Sequence, residues 1–336
     1  MGAALLKYQG CLLGLAIGDA LGAPIEFMDM SGIINEFGAG GMKDLYPWYG
    51  FKAGTYTDDT QMSIATALGC LQARQSGLDP VDEVLKAYLQ WMESQNCNGQ
   101  RRAPGHTCLT ALHIRRTTCT HSKINDSKGC GGVMRAAPAG LAYPPGEAFI
   151  CGADFARLTH DHPSGYLSAG VLADITARLV QDNSLEEALD SSMEILQHHN
   201  GSREILLKLY LSRKLADSEL SAADSINRLG EGWVAEEALA IALYCAIKFA
   251  SDFSLGVSAA VNHPGDSDST GCITGALLGT KMGIEAIPKK WIEMIENRDK
   301  LFQLAGYMWK AFYQKQTLDD MDFSYAPYTS EERSDQ

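Results

Sequence analysis

Two short acidic segments carry the residue types of a cation site. The first is Thr57-Asp58-Asp59-Thr60-Gln61, which follows Gly54 and runs into an apolar stretch over 62–71. The second is Asp266-Ser267-Asp268-Ser269-Thr270, framed by Gly265 and Gly271 and leading into 273–278. One acceptor suffices to cap a helix start, and acids in the first turn suit the helix dipole. Capping therefore accounts for one acid per segment, whereas each segment offers two carboxylates with adjacent hydroxyls. Crowded carboxylates repel one another unless a cation neutralises them. The donors are all hard oxygens, which select Mg²⁺, Mn²⁺ or Ca²⁺ over zinc. Neither a zinc-type His/Cys spacing nor the terminal Glu of an EF-hand loop is present. From the residues alone, capping and a divalent site both stay open.

Two further features could hold a ligand. Gly129-Cys130-Gly131-Gly132-Val133-Met134, preceded by Lys128 and followed by Arg135, is glycine-rich. Such a segment exposes backbone N–H groups to a phosphate, although a plain flexible turn has the same composition. It lacks the Lys-Ser/Thr ending of a P-loop, and no strand signal precedes it as a dinucleotide fingerprint requires. Leu158-Thr159-His160-Asp161-His162 puts two imidazoles close together, which also fits a helix C-terminus. His198 and His199 receive no role.

The elements that must position these groups read as helices. Gly10, Gly14, Gly18 and Gly22 recur every fourth residue and share one helical face. That stripe costs helix propensity, so it predicts a central helix with another backbone packed closely against it. Asp79-Pro80 predicts a helix start before Val81–Glu93. Ser184 with Glu187 forms a capping box. The stretch 235–250 is alanine-rich, Pro288 opens a further helix through Trp291 and Met294, and Gly283 reads as a helix stop. Loops are expected at 38–50, 96–105, 127–132 and 143–146. No apolar alternation or two-residue hairpin turn appears. The reading is one all-α domain over 1–328, a compact orthogonal bundle, with a polar tail at 329–336.

The chain has 336 residues, 46% of them apolar and 21% charged, which excludes a disordered composition. Its 41 Asp and Glu exceed its 28 Lys and Arg, giving −13. That balance argues against nucleic acid held through a basic surface and against docking on anionic lipid. The nine cysteines are odd in number and contain no CxxC. Free thiols in a reducing compartment are expected, hence a cytoplasmic protein. No uninterrupted apolar run reaches the ~18 residues of a membrane helix. The apolar stretch 11–17 is interrupted by glycine and followed at once by Asp19, which argues against a signal peptide.

Taken together, the segments resemble the ADP-ribosylglycohydrolase family. The resemblance rests on 10–22 (GCLLGLAIGDALG), Glu26-Phe27, Thr57-Asp58-Asp59-Thr60-Gln61-Met62, 129–135, Leu158-Thr159-His160 and 265–271, in family order along nearly the whole chain. It implies an all-α fold with a binuclear Mg²⁺ or Mn²⁺ centre. Thr57, Asp58 and Asp59 match its first ligand group; Asp266, Asp268 and Ser269 match its second. Many members have threonine at the last position, so Ser269 or Thr270 is the hydroxyl ligand, Ser269 being favoured by position. Glu26 matches a glutamate near the metals, and the base falls to Glu26 or to a cluster aspartate such as Asp59 or Asp266. The resemblance assigns substrate binding to Gly129, Cys130, Gly131, Gly132, Val133, Met134 and His160. Cys130 stands where some relatives have asparagine, which puts a polar contact there in doubt. The implied activity is removal of ADP-ribose from a modified protein, with arginine linkage foremost. The alternatives are serine or another O-linkage, immunity against an ADP-ribosylating toxin, and a non-catalytic ADP-ribose-binding or crystallin-like role.

Overall fold

The computed structural model describes residues 2–118 and 122–317, and among these it is helical with no strand. The expected tail at 329–336 lies outside the described residues. The first half of the chain forms α1 (Ala3–Gly22), α2 (Met30–Phe37), α3 (Asp58–Ser76), α4 (Pro80–Ser94), α5 (His106–Thr118), α6 (Ala137–Ala142), α7 (Glu147–Arg157) and α8 (Pro163–Val180). The second half forms α9 (Leu185–Leu196), α10 (Arg203–Ala216), α11 (Ala222–Leu229), α12 (Ala235–Lys248), α13 (Phe253–Val261), α14 (Ser267–Met282), α15 (Lys289–Met294) and α16 (Arg298–Met308).

The glycine stripe meets a second one. Gly10, Gly14 and Gly18 of α1 face Gly279, Gly275 and Gly271 of α14, and Gly22 faces Ser267. A Cβ on any of these glycines would strike a backbone carbonyl of the facing helix. The two helices therefore run antiparallel at close backbone approach and form the buried centre. This contact brings the C-terminal end of α1 to the N-terminal end of α14. Ser267 Oγ seals it by donating to the Gly22 carbonyl at 3.1 Å.

Most sequence-predicted boundaries hold. Asp79 caps α4 by accepting from Val81 N at 2.8 Å. Ser184 and Glu187 make the reciprocal capping box of α9, at 3.2 and 2.9 Å. Gly283 ends α14 at φ +77°, where a side chain would be strained. The segment 38–57 is irregular apart from the Trp48–Phe51 bridge. The amphipathic α2 was not expected; it starts on an Asp29 cap. Taken with its glycines, α1 has the length and mean hydropathy of a membrane span. Its burial by α14 and the surrounding helices makes it a core helix instead. The eight described cysteines are free.

Candidate metal and substrate cleft

The close approach of α1 and α14 assembles the acidic groups. Glu26 lies just beyond α1, Asp266 and Asp268 lie at the start of α14, and Asp58 and Asp59 open α3. Ligand atoms of Glu26, Asp266 and Asp268 fall within 4.8 Å of one another. Ser269 Oγ donates to Asp59 Oδ1 at 2.8 Å, linking the second cluster to the first. Glu26, Asp58, Asp59, Asp266, Asp268 and Ser269 all line one cleft of about 390 Å³.

Capping does not explain these acids. Thr57 is the N-cap of α3, its Oγ1 accepting from Asp59 N at 3.3 Å. Asp266 occupies the N-cap position of α14 without making a side-chain cap bond. The first turn of α3 is instead held by Asp19, buried in α1. Asp19 accepts from Thr57 N at 2.8 Å, Thr60 N at 2.9 Å and Thr60 Oγ1 at 2.6 Å. Sequence reasoning placed Asp19 in a family motif but gave it no role. An acid on the helix of the glycine stripe, bound for the protein centre, was the available signal.

The electrostatics agree with an unmet positive charge. Burial, reinforced by Asp268, Asp266 and Asp58, pushes the Glu26 carboxyl up to about 11. Burial and Asp268 push Asp19 up to about 7 against the pull of its Thr57 and Thr60 bonds. Asp58, Asp59 and Asp266 are raised well above the usual carboxylate range, first by burial and next by Asp268. No Lys or Arg among the described residues lines the cleft. A set of buried oxygen donors short of a cation fits hard divalent ions.

Beside the acids lies the glycine segment. Cys130 N donates to the Trp233 carbonyl at 3.1 Å and Ala235 N to the Lys128 carbonyl at 2.8 Å. These bonds pin the segment against the entry to α12. Gly129, Cys130, Gly131, Met134 and His160 line the cleft. Gly132 and Val133, also expected to bind substrate, do not line it. Gly132 is buried against Ala156, and Val133 is fully buried in the main core. The short 3-10 turn over 130–132 rotates them inward. Cys130 makes a polar contact after all, Sγ to Asp266 Oδ2 at 2.6 Å. Thr270 faces away: its Oγ1 bonds the Ala260 and Asp266 carbonyls at 2.8 and 2.9 Å. Ser269 is therefore the hydroxyl that reaches the cleft. At the mouth, Phe27 stacks on Trp233 with centroids 5.4 Å apart, a pair not singled out from sequence.

The whole described chain matches one known family, ADP-ribosylglycohydrolase, over residues 2–318. The chain belongs to the ADP-ribosylglycohydrolase family. Among its relatives, the ADP-ribosyl-[dinitrogen reductase] glycohydrolase of Rhodospirillum rubrum is 27% identical over 88% of this chain and 96% of that protein. The ADP-ribosylarginine hydrolase Tri1 of Serratia proteamaculans is 25% identical over 89% of this chain and 78% of that one. A solved ADP-ribosylglycohydrolase-related protein complex superposes with a TM-score of 0.71 at 25% identity, covering 91% of this chain and 98% of that one. The ADP-ribosylglycohydrolase fold is thus all-α, and this member carries an acidic cluster of Glu26, Asp266 and Asp268 that could hold a metal ion.

Proposed function

We propose that this protein is a metal-dependent hydrolase that removes ADP-ribose from a modified arginine side chain. The observation that carries this reading is the meeting of Glu26, Asp58, Asp59, Asp266, Asp268 and Ser269 with the glycine segment and His160 in one cleft. Thr57, Asp58, Asp59, Asp266, Asp268 and Ser269 would hold two divalent cations, Mg²⁺ or Mn²⁺, with Glu26 beside them. Bound ions would supply Lewis-acid activation of water and of the ribose diol.

The protein groups divide the remaining work. Gly129, Cys130 and Gly131 of the glycine segment would lie against the diphosphate, with His160 flanking it. The bond from ribose C1 to the guanidino nitrogen breaks through an oxocarbenium-like state, as in glycoside hydrolysis. Water oxygen then bonds to C1. Glu26, or a cluster aspartate such as Asp59 or Asp266, takes the water proton, which passes to the departing nitrogen. One water is consumed, and ADP-ribose and arginine are released. Arginine linkage is favoured by a cleft rich in carboxylates, with no lining Lys or Arg among the described residues, which suits a cationic guanidinium, and by the activity named for Tri1.

The test is incubation with ADP-ribosyl-arginine and ADP-ribosyl-serine, each with Mg²⁺ and with Mn²⁺. Release of ADP-ribose from the arginine conjugate is expected. Release from the serine conjugate alone would replace the linkage. Calorimetric ADP-ribose binding without turnover on either substrate would make the protein a binding module.

A further inference from the structure

Beneath the glycine segment lies a buried cation with no counter-ion among the described residues. Arg135 is 1% exposed, and no carboxylate among the described residues lies within ion-pair distance of it. Its guanidinium stacks over the Tyr88 ring at 4.5 Å. Nη1 donates to the Gly131 carbonyl and lies 3.4 Å from Cys108 Sγ. Nη2 donates to Thr159 Oγ1 at 2.6 Å, while Nε is buried without a partner. A buried charge with no paired carboxylate is costly.

The next link is Thr159. Arginine can only donate, so Thr159 Oγ1 accepts from it and keeps its own proton to give. Its acceptors include the Ala156 carbonyl at 3.4 Å and His160 Nδ1 at 2.8 Å, with the weakly accepting Cys108 Sγ also near. The shorter bond has the better geometry, and donation from a cation strengthens the hydroxyl as a donor. An N–H on Nδ1 would also aim its positive end toward the guanidinium. Nδ1 is therefore the acceptor, and the imidazole proton sits on Nε2. Nε2 has no hydrogen-bond partner among the described residues and lies beside Gly129 and Gly131, where His160 lines the cleft. Burial and the charge of Arg135 push His160 down to about 3, so the ring stays neutral.

We propose that Arg135, acting through Thr159, fixes His160 as the neutral tautomer whose Nε2–H donates to an anionic oxygen of the ligand on the glycine segment. Arg135 and Thr159 are then positioning residues, and His160 is the group that touches ligand. The same guanidinium turns the Gly131 carbonyl inward, away from that anion, and adds positive charge below the segment. The identity of the ligand rests on the proposed hydrolase function; the tautomer does not.

The experiment uses the full chain labelled with ¹⁵N-histidine, with the His160 signals identified by their loss in His160→Gln. Two-bond ¹⁵N–¹H spectra distinguish a protonated from an unprotonated ring nitrogen. Nδ1 unprotonated and Nε2 protonated is expected in the wild type and in Thr159→Ser. Thr159→Val, close in shape, is expected to give a tautomer mixture and to weaken ADP-ribose affinity about tenfold, as loss of one oriented charge-assisted bond implies. Arg135→Lys keeps charge but loses the fork and should lie between. A wild-type proton on Nδ1 would overturn the proposal, as would a Thr159→Val protein with unchanged tautomer and affinity. Absence of hydrolysis from every substrate would defeat the proposed function and leave the tautomer result standing.

Discussion

Asp19 in α1 accepts the backbone N–H of Thr57 at 2.8 Å, so the first acidic cluster is held from another helix. Its second oxygen takes both donors of Thr60, at 2.9 and 2.6 Å. A fully buried carboxylate thus shares the capping of α3 with Thr57 and leaves Asp58 and Asp59 for the cleft. The glycine contact between α1 and α14 sets where Asp19 stands. The geometry of the site is therefore a consequence of backbone packing at the centre of the protein.

Asp19→Ala should leave Thr57 N and both Thr60 donors buried and unmet, at a cost of about 1–3 kcal/mol for each such group. Denaturant unfolding should show a large loss, and divalent-ion affinity should fall with it. Asp19→Asn keeps one acceptor but turns an amide donor toward Thr60, so it should fall between. An alanine variant of unchanged midpoint and metal affinity would show that Asp19 does not organise the cluster.

Gly14→Ala and Gly275→Ala should each destabilise by roughly 1–3 kcal/mol, because the added methyl meets a backbone carbonyl rather than a mobile side chain. Gly306, inside α16, faces open space and supplies the control. Gly306→Ala should stabilise by about 0.5–1 kcal/mol through helix propensity. Chemical denaturation of the three variants measures this, and equal effects at all three positions would show that the α1–α14 contact is looser than described.

The parts legible in the sequence were those with a local physical signature. The glycine stripe announced a central helix, although its partner stripe on α14, Gly271, Gly275 and Gly279 at the same four-residue spacing, was not read as one. Both acidic clusters were visible because two acids per helix start exceed what capping needs. Asp19, Trp233 and Cys108 were not visible as cleft or support residues, because their importance comes from which distant helix they meet. Gly132 and Val133 show what spacing alone does not place. A run of glycines looks uniform in sequence, yet the turn over 130–132 sends one part to the cleft and the next into the core.

Asp268→Asn should separate stability from activity. Asp268 heads the charge repulsion on Asp58, Asp59 and Asp266, so neutralising it relieves strain in the metal-free protein. Its bond from Ser269 N at 2.9 Å survives in the amide. Thermal unfolding in chelator should shift upward while hydrolysis falls by at least about 100-fold. A variant that keeps turnover would remove Asp268 from the cation site.

Chelation should matter more at high pH than at low. In the metal-free fold Asp19 holds its proton up to about 7 and Glu26 up to about 11, whereas both lose it near 4 when unfolded. The folded state therefore binds more protons between those limits, and its stability declines as pH rises through them. Divalent ions reverse that slope: they require the ionised carboxylates, displace the bound protons and neutralise the repulsion. Mg²⁺ or Mn²⁺ at about 100 times its dissociation constant should add about 2.7 kcal/mol. The gap in unfolding temperature between metal-saturated and chelated protein should accordingly be wider at pH 8 than at pH 6, with protons released on metal addition. The same gap at both pH values, or none, would mean that the buried acids do not meet at a cation.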